Sequence, residues 1–154
     1  RKTSGASLGW CPRNRQQLTQ GLVTLRCARE LDALSDDRSP MEPSGNPLRH
    51  DYIVAGGVVY SFQMGSDGPA PPLNSAGRID SNETVNEKCV TISEDPEFDR
   101  AVHQAAQARG APRYNVTAYP GTIQHTLGFR NCQTWADDVL NMAQEIVDQN
   151  EGKK

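Results

Sequence analysis

Apolar residues recur over residues 14–34 at Leu18, Leu22, Leu25, Ala28 and Leu31, with polar residues between them, and that spacing predicts one long amphipathic helix. Pro40, Pro43 and Pro47, with Gly45 and Asn46 among them, then impose a loop. From residue 48 the pattern changes. In LRHDYIVAGGVVYSFQMG, β-branched and aromatic residues stand on both sides of Gly56-Gly57, a dipeptide that accepts the positive φ of a two-residue hairpin turn. Counting outward from the turn sets Ala55 against Val58, Val54 against Val59, Tyr52 against Ser61 and His50 against Gln63. One face of the ribbon then carries His50, Tyr52, Val54, Val59, Ser61 and Gln63; a slip of one residue would reverse it.

Beyond the hairpin, residues 66–77 are rich in Pro, Gly and Ser and read as a surface loop, and KCVTI (88–92) reads as a short strand. A second helix is predicted from Asp95 as N-cap and Pro96 at the first helical position, with Phe98, Val102 and Ala105 on one face and Gly110 as its stop. YNVTAYPG (114–121) suits either a strand or an extended turn. The last helix starts at Cys132, capped by Asn131, and shows Trp135, Val139, Met142, Ala143 and Ile146 along one apolar face.

These elements predict an α+β fold: an N-terminal helix, an antiparallel sheet built on the hairpin, and a C-terminal helix packed across it. With 154 residues the chain has room for one domain, which we divide into an N-terminal helix and Pro-rich loop (1–47) and a core (48–150). A net charge of -3 without a basic stripe argues against a nucleic-acid partner. No apolar run is long enough for a transmembrane segment and no signal peptide opens the chain, so a soluble protein is expected. The start at Arg1 rather than Met suits an excised or processed piece.

Cys11, Cys27, Cys89 and Cys132 include no C-x-x-C pair, and the histidines do not complete a metal site, so neither metal nor cofactor is expected. Cys27 and Cys89 read as small buried apolar residues, with a Cys11–Cys27 bridge as an alternative. Cys132 stands at a helix start, where unpaired amides and the positive end of the helix dipole lower a thiol's pKa and can hold an oxyanion. A capped helix with an inert buried cysteine accounts for the same residues. A nucleophile would need a base: His103 lies off the apolar stripe of its helix and reads as solvated, His125 reads as a loop residue, and His50 opens a strand that could present it rigidly to Cys132. Gln63 is the first candidate to orient His50 and Ser61 the second. Asp137 and Asp138 read as a solvated face that complements the dipole.

The order of a histidine-led strand (RHDYIVAGGVVYSF), a polar residue on the neighbouring strand and RNCQTWADDVL at a helix start resembles the circularly permuted papain-like thiol hydrolases. That group includes lecithin:retinol acyltransferase-like enzymes, PPPDE deubiquitinating peptidases and permuted relatives of NlpC cell-wall peptidases. The resemblance implies a permuted papain-like fold, Cys132 as nucleophile, His50 as base, and Gln63 or Ser61 as orienting residue. It implies a cysteine hydrolase acting on an amide bond in a protein, peptide or peptidoglycan stem. N-C-Q-T-W replaces the N-C-E-H-F character of the acyltransferase-like members, which makes acyl transfer or phospholipid cleavage the alternative rather than the first expectation. The pair also looks like that of papain-like toxin domains of secreted bacterial proteins, which would act in a target cell and be matched by a cognate immunity protein. From a different class, a non-catalytic interaction domain could keep the same fold.

Overall fold

The structure is a computed structural model that describes residues 23–31, 38–44, 47–65 and 74–154. Strands β1 (Thr24–Glu30), β2 (Pro40–Met41), β3 (Arg49–Ala55), β4 (Val58–Met64), β5 (Gly77–Asp80) and β6 (Val90–Ser93) precede helices α1 (Pro96–Arg109), α2 (Ile123–Thr126) and α3 (Cys132–Glu151). The strands form one antiparallel sheet in the order β2-β1-β3-β4-β5, and β6 shares the outer edge of β1 with β2. Helices α1 and α3 pack on each other and on one face of this sheet.

Gly56 and Gly57 both adopt positive φ, 55° and 81°, and close the hairpin with Ala55 opposite Val58 and Val54 opposite Val59, as counted from the turn. Alternation along β3 sends Ile53 and Ala55 into the core under the helices, and Tyr52 and Val54 into a smaller cluster with Cys27, Leu25 and Val59 on the other face. The helices obey their sequence signals. Asp95 caps α1 through the Glu97 amide, Phe98, Val102 and Ala105 are buried, and Gly110 follows the last turn. In α3, Trp135 stacks on Phe62 at 5.7 Å and donates its indole N–H to the Gly110 carbonyl, which ties the two helices and the sheet together.

Residues 24–30 form β1 rather than the predicted helix; residues 14–22 and 32–34 of that prediction lie outside the described residues. The physical reason is that β1 lies inside the sheet with both faces covered. Leu25 and Cys27 point one way while Thr24 and Ala28, both buried, point the other, so apolar residues fall on both faces and mimic a helical spacing. The loop expected over 66–77 lies outside the described residues as far as 73; residues 74–76 are irregular, and its last residue, Gly77, opens strand β5, which pairs with Ser61–Met64. A Cβ on Gly77 would collide with the Pro112 carbonyl and the Phe62 ring, so this strand approaches the core closely only as glycine. Residues 114–121 form a connection of successive turns, with isolated bridges only at Tyr114. Cys27 and Cys89 are joined in a disulfide, which overturns both their reading as unpaired core residues and the alternative Cys11–Cys27 bridge. The bond staples the 81–89 segment to β1.

Candidate functional site

The hairpin does not stay paired along its whole length. β3 and β4 pair only from Ile53 to Ala55, and from Ser61 onward β4 pairs with β5 instead. The expected pairs Tyr52 with Ser61 and His50 with Gln63 are therefore absent from the β3–β4 ladder. The start of α3 meets the edge of β3 at the gap. Gln133 Nε2 donates to the carbonyls of Pro47 (2.9 Å) and Arg49 (3.1 Å), and the Cys132 thiol donates to the same Arg49 carbonyl (Sγ to O 3.6 Å). Asn131 makes this start rigid: its side chain accepts the Thr134 amide at 2.9 Å while Thr134 Oγ1 accepts the Asn131 amide at 3.0 Å.

Cys132 is thus lodged between the backbones of Arg49 and Asp51, the two residues that flank His50. It is 3% exposed. Burial pushes its thiol up to about 11; the Asp51 amide and the helix-start amides pull the other way, and the Asp51 carboxylate adds to the rise. The helix start alone predicts a lowered thiol pKa, and desolvation outweighs it here. The Asp51 carboxylate is itself clamped by Arg26 (2.7 Å) and Arg49 (2.6 Å), and Arg26 continues to Asp137. Tyr119 closes the site from outside by donating to the Pro47 carbonyl at 2.6 Å, and burial raises its phenol pKa, with the nearby Cys132 sulfur adding to the effect.

His50 sends its side chain to the face of β3 opposite Asp51. There its Nε2 lies 2.7 Å from Ser61 Oγ, and Gln63 Nε2 donates to the same hydroxyl at 2.9 Å. Ser61, the second candidate, makes the direct contact, and Gln63 supports it from behind. The reason is the departure of β4, which brings His50 diagonally onto Ser61. The structure joins His50, Ser61 and Gln63 in one network and brings Cys132 to the backbone beside them. No hydrogen bond connects Cys132 to His50.

Sequence reasoning missed the far side of this network. Glu83 Oε1 stands 3.7 Å from His50 Nε2, and the carboxylate takes a bidentate ion pair from Arg29, the cross-strand partner of His50. Glu83 sits in a polar run with no periodicity, and Arg29 falls in the misread helix, so neither offered a local signal. His103 bonds Tyr60 OH at 2.6 Å and is not simply solvated, Asp138 holds Arg109 and Arg130, and Asp137 holds Arg26. His125 lies in the short helix α2 and lines an open polar cavity of about 400 Å³ with Arg26, Thr134, Asp137 and Asn141. An apolar cavity of about 600 Å³ lies on the other face, lined by Leu25, Val54, Val59 and Val85.

Among the described residues no group of His, Cys, Asp and Glu is arranged to hold a metal ion, and no helix is long and apolar enough to cross a membrane. Comparison with protein-family models, with curated proteins and with solved structures returned no match to this chain.

Proposed function

We propose that the chain is a cysteine hydrolase with a permuted papain-like arrangement, in which Cys132 attacks the carbonyl carbon of an amide, His50 takes the thiol proton and Ser61, backed by Gln63, orients the imidazole. The observation that carries this is a helix-start thiol bonded to the Arg49 carbonyl, one residue from a buried His50 whose Nε2 is engaged by Ser61; the imidazole points to the sheet face away from the helices, so the mechanism requires thiol and ring to meet when substrate binds. When Nε2 donates its proton to Ser61 Oγ, Nδ1 is the nitrogen that serves as base. Attack joins sulfur to the carbonyl carbon; the proton passes through His50 to the leaving amine, and water then releases the acyl group. The raised thiol pKa means that the resting site holds a thiol, and proton transfer accompanies attack rather than preceding it.

Amide cleavage is placed before acyl transfer on the N-C-Q-T-W motif; neither the polar cavity beside α3 nor the apolar cavity lined by Leu25, Val54, Val59 and Val85 is lined by Cys132 or His50. The Cys27–Cys89 disulfide fits a domain that passes through an oxidising compartment, as a secreted bacterial effector with a cognate immunity protein would. A second reading, a non-catalytic interaction domain, is favoured by the 3% exposure of Cys132 and its bond to a backbone carbonyl instead of an imidazole. The deciding experiment incubates wild type and Cys132→Ala in parallel with peptidoglycan, ubiquitin conjugates and phospholipid vesicles and identifies products by mass. New amide-cleavage products from wild type alone are expected. Products that persist in Cys132→Ala, or their absence from all three substrates, would favour the interaction domain.

A further inference from the structure

The carboxylate of Glu83 is buried, with 4% of its side chain exposed, on the sheet face opposite the helices. A charge in that position carries a desolvation cost that one ion pair seldom recovers in full, so apolar residues would serve as well if the only need were to hold the 81–89 segment down. The segment is already held by other means. The Cys27–Cys89 disulfide staples it to β1, Tyr52 donates to the Thr84 carbonyl at 2.6 Å, and Asn86 donates to the Ala28 carbonyl and to the Tyr52 hydroxyl. What these anchors accomplish is to bring one carboxylate oxygen to the histidine: Glu83 Oε1 lies 3.7 Å from His50 Nε2 and 3.4 Å from Gln63 Nε2. Arg29 grips both oxygens with Nε, at 2.9 and 2.8 Å, and so fixes the plane of the carboxylate.

We infer that Glu83 is a positioning residue for His50, holding the imidazole proton on Nε2 and stabilising the imidazolium that forms when the thiol proton is taken up. The inference rests on the hydrolase assignment for its purpose, but not for its physics. Among the described residues, the charged and titratable groups that face His50 include Glu83 from the 81–89 segment, Arg29 from β1, and Tyr52, stacked at 6.3 Å, from its own strand. From β4 come the uncharged Ser61 and Gln63, and α3 brings Cys132 to the adjoining backbone. Of these, Glu83 is the anion nearest the imidazole on that face, and a carboxylate at this distance favours the protonated ring. It also selects the tautomer with the proton on Nε2, which makes Nδ1 the base.

The test is nuclear magnetic resonance of the imidazole nitrogens in the intact protein, which has three histidines to assign. In the unmodified chain His50 is expected in the Nε2–H tautomer; a neutral ring protonated on Nδ1 overturns the inference without any variant being made. Glu83→Gln keeps the size and the hydrogen bond to Arg29, and should move the His50 titration midpoint down by about one pH unit while His125 stays in place. Should that variant not fold, Arg29→Met with Glu83→Leu replaces the pair by apolar groups of similar volume, a change that folds often tolerate, and the same downward shift is expected. A folded variant in which His50 titrates as in wild type would show that Glu83 is only an anchor. That outcome leaves the hydrolase assignment standing. A shifted His50 in a protein that cleaves nothing would support Glu83 and remove the hydrolase.

Discussion

Desolvation, not the helix dipole, governs Cys132, and this can be tested by alkylation across pH. The thiol is displaced by burial from about 9 to about 11. At pH 7.5 its thiolate fraction is therefore lower by roughly 100-fold. The sign follows from the group: a thiol becomes reactive on losing its proton, so the rate should climb about tenfold per pH unit and level off only near 11. The assay uses iodoacetamide on a Cys11→Ser background, with N-acetylcysteine as reference and intact mass as the readout. Alkylation at pH 7.5 is expected to lag the reference by at least 10²-fold, in the order-of-magnitude sense of the ionisation difference alone, since the sulfur is 3% exposed. A rate within about tenfold of the reference, or a plateau below about pH 9, would refute this and mean that an imidazolium at His50 holds a resting thiolate. Stability follows the same linkage. With the folded pKa above the unfolded one, the stabilisation is complete below about pH 9 and is lost as pH rises to 11, by about 3 kcal/mol, and Cys132→Ala should remove that loss in urea titrations.

Two further expectations concern the frame of the site. Asn131→Ala removes one side of the capping box and leaves the Thr134 amide without its partner, so it should cost about 1–2 kcal/mol by urea denaturation and accelerate Cys132 alkylation as the helix start frays; unchanged stability would mean that the cap is dispensable. Replacing both Cys27 and Cys89 by Ser opens a loop of 62 residues and should lower stability by about 4 kcal/mol, a loss absent if the two thiols remain apart in the native protein.

How much of this was legible beforehand depended on whether a signal was local. The turn at Gly56-Gly57, the caps Asp95 and Asn131, the stop at Gly110 and the apolar stripe from Trp135 are all properties of neighbouring residues, and all lie where the pattern puts them. Alternation also placed His50, Tyr52, Val54, Val59, Ser61 and Gln63 on one face of the ribbon, because period two is inherent in an extended chain. β1 was illegible for the complementary reason: a strand covered on both faces has no polar side to reveal its period. Strand β5, GRID, is too short and too polar to announce itself, and its Gly77 is explained only by the Phe62 ring and the Pro112 carbonyl pressed against it.

What the sequence by itself determined was the local frame: where helices begin, where the chain turns, and which residues share the ribbon face with His50. The tertiary structure decided the chemistry of the site. It sent β4 away from β3, so that Ser61 rather than Gln63 meets His50; it joined Cys27 to Cys89 and carried Glu83 onto the imidazole. It also packed Cys132 deeply enough for desolvation to override the helix start. Each of these depends on groups distant in the chain, and solvent exclusion belongs to the packed molecule rather than to any short stretch of residues.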